Sequence, residues 1–173
     1  PPPAAVPGAT GRRREPDLIA GASFFHASGI SQAISETAAA TVAAAMEIAR
    51  AAGVRISFDT NYRPRLWTGE KAWAAIERAA GQADVLKTSL EDAQALLGLS
   101  SAGDIASRFL ALGAKTVVVT LGREGALVAT AEDRQHVPGV AAALELQHLL
   151  ALVLQHHGGL QVGRAGVGPP VGD

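Results

Sequence analysis

Between residues 23 and 130 short strand-like runs alternate with longer helical ones, and this alternation leaves few folds open. Residues 23–27, 54–58, 83–87, 115–120 and 125–130 are apolar-rich and of strand length. The stretches between them have helical spacing. Residues 31–52 are alanine-rich and predict one long helix, with Ile34, Val42, Met46 and Ala49 along a stripe. Gly53 stands where a glycine cap ends such a helix. Residues 70–80 place Trp73, Ile76 and Ala80 on one face. Ser89-Leu90-Glu91-Asp92 is close to a capping box and opens a further helix; Ser101 opens another that ends at Gly113. Strands separated by helices of this length predict βαβ units and a largely parallel sheet. The last two strands are expected to pair across a turn at Gly122.

The ends read differently. Residues 1–17 are proline-rich with no period and are expected to be a loose tail. After Val140 the alternation fails: residues 141–157 suggest one apolar helix, and residues 158–173 are rich in glycine and proline. The predicted organisation is a tail over 1–17, a partial α/β domain over 18–140, and an atypical helix and loose tail over 141–173. His148, His156 and His157 invite a metal reading, but no carboxylate cluster accompanies them.

Composition narrows the function classes. With 173 residues the chain can bury a sizeable core. Its formal net charge of -1 favours neither nucleic acid nor an anionic membrane surface. The absence of cysteine removes disulfides, thiolate zinc sites and a cysteine nucleophile. No apolar run is long enough to span a bilayer and the start lacks a signal-peptide core, so a cytoplasmic location is expected.

The richest chemistry follows the second strand. Asp59-Thr60-Asn61-Tyr62-Arg63-Pro64-Arg65-Leu66-Trp67 offers a carboxylate, an amide, a phenol, two guanidinium groups and an indole. It falls at the carboxyl end of a parallel strand, where open α/β sheets place ligands. Pro64 keeps Arg63 out of the helical region. A guanidinium there suits a carboxylate or phosphate; it equally suits solvation of an exposed loop. Thr120-Leu121-Gly122-Arg123-Glu124-Gly125 is a T-x-G-x-x-G turn after a buried-type strand. Its glycines allow a backbone to approach a phosphate or base, or they simply build a hairpin.

The 59–67 motif resembles the strand-end motif of the PfkB-type, ribokinase-like carbohydrate kinases, in the D-x-N-Y-R-P-x-L-W form of the 2-keto-3-deoxygluconate kinases. Residues 86–98 and 116–130 match in the same order, so the resemblance covers roughly 18–140. It implies a three-layer α-β-α fold, here incomplete, and ATP-dependent phosphorylation of a sugar acid with Mg2+. Asn61, Tyr62 and Arg63 would bind the sugar acid. Asn61, Thr120, Gly122, Arg123 and Gly125 would lie along the nucleotide. Ser89 and Asp92 occupy the family's N-x-x-E position, which helps order magnesium and phosphate; Ser89 replaces Asn and Asp92 replaces Glu. A helix cap accounts for both residues as well. The expected partners are the sugar acid and ATP, with no nucleic acid and no membrane. Homo-oligomerisation stays open, since exposed strand edges invite pairing.

The family's G-A-G-D motif, an anion hole followed by the aspartate that acts as base, has no counterpart. Its expected place holds Ala141-Ala142-Ala143-Leu144. No catalytic residue is therefore assigned. Asp59 closes a strand near the sugar loop and has no G-A-G before it; Asp173 is terminal. The family's N-terminal half, with its first sugar contacts and lid, is missing too. The expectation is a truncated or misread gene with native sequence only between the ends, weakly active or inactive. The alternatives are a non-catalytic α/β fragment that binds nucleotide or a partner, and another sugar kinase of the family such as a fructokinase or deoxygluconokinase.

Overall fold

A computed structural model describes residues 15–139. The expected helix over 141–157, the three C-terminal histidines and the first residues of the N-terminal tail lie outside them. Six strands form one sheet in the order β1-β2-β3-β4-β5-β6, so sheet order follows chain order. β1 (Phe24–Ser28), β2 (Arg55–Asp59), β3 (Val85–Ser89) and β4 (Thr116–Thr120) are parallel. β5 (Ala126–Ala129) returns antiparallel to β4 across the Gly122 turn, as expected, and β6 (Arg134–Val137) returns against β5. The fold is therefore α/β with a mainly parallel mixed sheet.

Register explains the core. Phe58, Leu86 and Val117 stand side by side on β2, β3 and β4, and Val117 opposes Ala129 on β5. These residues, with Ile56 and Val119, are fully or almost fully buried. They share their cluster with Met46 and Ala49 of α3 (Glu36–Ala51), Ile76 and Ala80 of α4 (Gly69–Ala80), Ala93 of α5 (Leu90–Leu97) and Ile105 and Phe109 of α6 (Ala102–Ala111). Crossovers of one hand, each moving one strand along the sheet, put their helices on the same face. Sheet and helices thus form two of the expected layers. The opposite face, one residue out of phase, carries Arg55, Ser57, Asp59 and Lys87. Alanines at 72, 75, 79 and 80 of α4 let that helix lie close to the sheet.

Two sequence expectations need correction. Residues 31–52 are not one helix. A short helix, α2 (Gly29–Ala33), precedes α3, and Ser35 between them is extended. The Ser35 hydroxyl accepts the Ala38 N–H at 3.0 Å, an N-cap that starts α3 afresh. Ile34 is left 71% exposed instead of joining the stripe. The tail also ends earlier than the boundary at 17, because α1 (Glu15–Ala20) starts at Glu15 and Ile19 packs on the core. Elsewhere the punctuation held. Gly53 has φ +73 just past α3, and Ser89 and Ser101 accept the N–H of Asp92 and Asp104.

Candidate active site at the strand ends

The parallel strands end together. Ser28 is in register with Asp59, Asp59 with Lys87, and Ser89 with Thr120. The ladder continues one step past β2, where the Thr60 N–H donates to the Lys87 carbonyl at 2.9 Å. The side chains that sequence reading singled out therefore emerge from one edge of the sheet.

Thr60 and Thr88 are both fully buried, and the Thr60 hydroxyl donates to that of Thr88 at 2.9 Å. Thr88 in turn donates to the Ser89 carbonyl at 3.3 Å. Thr120 donates to the Thr88 carbonyl at 3.4 Å, tying β4 into the same row. Asn61 follows with φ +37, the one non-glycine in the left-handed region among the described residues. Asparagine tolerates that region better than most residues. Its amide donates to Ser28 Oγ at 3.2 Å, which joins the loop to the end of β1. Tyr62 is buried and Arg63 is exposed. Arg63 Nη1 donates to the Tyr62 carbonyl at 3.0 Å, and its other N–H groups have no partner among the described residues. Arg65 and Leu66 are exposed, while Trp67 folds back against Gly29 of α2.

Asp92 departs from the capping-box expectation. Ser89 caps α5, but the Asp92 carboxylate does not reach back to Ser89. It turns to the neighbouring strand end, where Oδ2 accepts the Tyr62 N–H at 2.9 Å and the Thr60 hydroxyl lies 3.5 Å away. Beside it, Lys87 Nζ donates to Asp59 Oδ2 at 2.9 Å, so Asp59 is held in an ion pair.

The T-x-G-x-x-G turn builds the β4–β5 hairpin, with Gly122–Glu124 in one turn of 3-10 helix. The two glycines differ. Gly122 has φ +58 and open space where a side chain would stand. Gly125 has φ +100, and a side chain there would run into the backbone of Val137 and Gly139. Gly122 and the exposed Arg123 thus face solvent at the strand-end edge, whereas Gly125 is required by the approach of the chain after β6. No group of three histidine, cysteine or acidic residues suited to a metal ion occurs among the described residues. With Asp92 Oδ2 committed to Tyr62, these residues do not by themselves fit a Mg2+ site. An open glycine turn beside Thr120 does fit an ATP phosphate or ribose.

The fold recurs in known proteins. The chain matches the pfkB family of carbohydrate kinases over residues 5–144. This chain belongs to that family. It is 37% identical over 128 residues to the 2-dehydro-3-deoxygluconokinase of Thermoproteus tenax, which covers 70% of this chain and 38% of that protein. The crystal structure of a PfkB protein from Polaromonas sp. JS666 superposes with a TM-score of 0.74 at 32% identity, covering 86% of this chain and 51% of that one. Aminoimidazole riboside kinase from Salmonella enterica, solved with aminoimidazole riboside and an ATP analogue, gives a TM-score of 0.64 at 29% identity, covering 69% of this chain and 40% of that one. The chain spans well under half the length of the curated relatives it matches. Among its described residues no helix is long and apolar enough to cross a membrane.

Sequence reasoning missed the Thr60–Thr88 pair, the Asn61–Ser28 bond and the turn of Asp92 toward Tyr62. Each joins residues 28 to 33 positions apart, so no local pattern announces it.

Proposed function

We propose that this chain carries the sugar-acid loop and the nucleotide turn of an ATP-dependent carbohydrate kinase whose substrate is 2-keto-3-deoxygluconate. The observation that carries this reading is Arg63: an exposed guanidinium, anchored at one nitrogen to its own loop, at the carboxyl edge of a parallel sheet. A ketodeoxy sugar acid differs from a neutral sugar by a carboxylate, and a guanidinium recognises that group through paired charge-assisted bonds. The likeness to the Thermoproteus tenax enzyme supports the same substrate. Asn61 and Tyr62 would complete the sugar contacts. Thr120, Gly122 and Arg123 would meet the nucleotide, with Gly125 shaping that turn.

A second reading, binding without turnover, is favoured by the acidic groups. Asp59 is paired with Lys87, Asp92 is bonded to Tyr62, and the sequence holds no G-A-G-D motif. Calorimetric titration of the purified chain with 2-keto-3-deoxygluconate, fructose and ATP tests the substrate, and a coupled assay with ATP and Mg2+ tests turnover. The sugar acid is expected to bind about tenfold tighter than fructose, since one charge-assisted contact is at stake. Equal affinities would reject the sugar-acid reading and leave a neutral-sugar kinase such as a fructokinase.

A further inference from the structure

We infer that Asp92 is a positioning residue that fixes the Asn61-Tyr62-Arg63 loop, and not a ligand for magnesium. The inference deepens the proposed function and rests on its placing of the sugar acid at Arg63.

Asp92 is the third residue of α5, and Ser89 alone satisfies its backbone N–H, at 3.0 Å. The carboxylate is free to turn outward, and it crosses to β2. Its Oδ2 takes the Tyr62 N–H at 2.9 Å. That N–H lies beyond the last rung of the β2–β3 ladder, formed by Thr60 N–H and the Lys87 carbonyl, so the ladder no longer serves it. Asn61, with φ +37, has just turned the chain out of the strand. A backbone N–H past the end of its ladder needs another acceptor, and the Asp92 side-chain oxygen supplies it. The carbonyl of the same Tyr62 then accepts from Arg63 Nη1 at 3.0 Å. Asp92 therefore pins one side of the Tyr62 peptide group and Arg63 leans on the next. The guanidinium is aimed through a chain of two bonds that begins at Asp92. No cluster of three histidine, cysteine or acidic residues stands among the described residues, so they hold no all-protein metal cage. Magnesium held by waters and nucleotide phosphates asks the protein for one or two carboxylates, and Oδ2 of this one is already taken by the Tyr62 N–H.

The contact uses the acceptor oxygen and not the charge as such. Asp92→Asn keeps an oxygen for the Tyr62 N–H, whereas Asp92→Ala removes it. Three readouts on the purified chain separate positioning from metal binding. Amide exchange followed by NMR should show a slow Tyr62 N–H in the unsubstituted chain, exchanging about tenfold faster in Asp92→Ala and near the original rate in Asp92→Asn, with Val117 and Val119 unchanged as controls. Affinity for 2-keto-3-deoxygluconate should fall about tenfold in Asp92→Ala and return in Asp92→Asn. Binding of ATP in the presence of Mg2+ should be equal in all three. An Asp92→Asn variant as impaired as Asp92→Ala, or a loss confined to ATP with Mg2+, would overturn the inference. So would a Tyr62 N–H that exchanges freely in the unsubstituted chain, a measurement that needs no variant. Should the unsubstituted chain bind no sugar acid, the substrate reading fails by itself, and Tyr62 exchange with its rescue by Asp92→Asn still decides the role of Asp92.

Discussion

Thr60 and Thr88, 28 residues apart, meet as two fully buried hydroxyls 2.9 Å from each other at the ends of adjacent strands. Losing the bond between them leaves Thr88 only the Ser89 carbonyl at 3.3 Å and Thr60 only Asp92 Oδ2 at 3.5 Å. Thr60→Val and Thr88→Val should each lower stability by about 1–2 kcal/mol. The double variant should lose less than the sum, because the bond between the two is lost only once. Urea unfolding of the four proteins measures the cycle. Additive losses would mean the two hydroxyls are energetically independent.

The proposed reading makes Arg63 the residue on which substrate choice turns. Arg63→Lys keeps the charge but loses the planar fork, so binding of a sugar acid should weaken by about 1.5–3 kcal/mol. ATP and fructose should bind as before. Titration calorimetry with the three ligands checks this, and equal losses for sugar acid and fructose would give Arg63 a structural role instead.

The two glycines of the β4–β5 turn should respond differently to alanine. At Gly122 a methyl group meets nothing within 4 Å, so Gly122→Ala should cost only the left-handed backbone, about 1–2 kcal/mol. At Gly125 the methyl group meets Val137 and Gly139 in a backbone conformation that side chains rarely adopt. Gly125→Ala should cost several kcal/mol, roughly the sum of strain and overpacking. Thermal unfolding of both variants ranks them; equal midpoints would contradict the geometry.

Gly29 makes a comparable close approach, with the Thr60 carbonyl oxygen where its side chain would be. Gly29→Ala should push α2 off the loop, costing about 1–3 kcal/mol, and speed amide exchange at Asn61 and Tyr62 ahead of β4. Unchanged exchange at those two residues would show that α2 does not support the loop.

Phosphoryl transfer by this chain alone should be slow. Without a preorganised anion hole about 10²–10³ in rate is lost, and without a general base roughly 10²–10⁴ more. A coupled assay with ATP, Mg2+ and 2-keto-3-deoxygluconate measures it. Turnover at about 1–100 per second, the ordinary kinase range, would show that another group supplies the base.

What the sequence disclosed and what it hid divide by distance along the chain. Local signals carried the strands, the caps at Ser89 and Ser101, the stop at Gly53 and the Gly122 hairpin. A local signal was also present at Ser35, followed by Glu36, but the alanine run masked it, and two helices read as one. β6 escaped because Arg134-Gln135-His136 is an exposed polar edge with no apolar alternation. In the site, the motif fixed which residues stand at the strand end. It could not show that Asp92 serves Tyr62 or that Asp59 is occupied by Lys87, since those contacts exist only once β2 and β3 lie side by side.

The agreement between sheet order and chain order also bears on how the domain forms. Each parallel strand pairs with its immediate predecessor, and register partners such as Phe24 and Arg55, Phe58 and Leu86, or Val85 and Thr116 lie about thirty residues apart. Loop-closure entropy is then similar at each addition and small beside that of joining remote segments. No described strand must wait for a later one to be inserted between it and its neighbour. As the chain leaves the ribosome, β2 can dock on β1 as soon as α3 has emerged, and β3 and β4 can follow in turn. Such stepwise growth keeps sequence separation short and favours rapid folding for a parallel sheet.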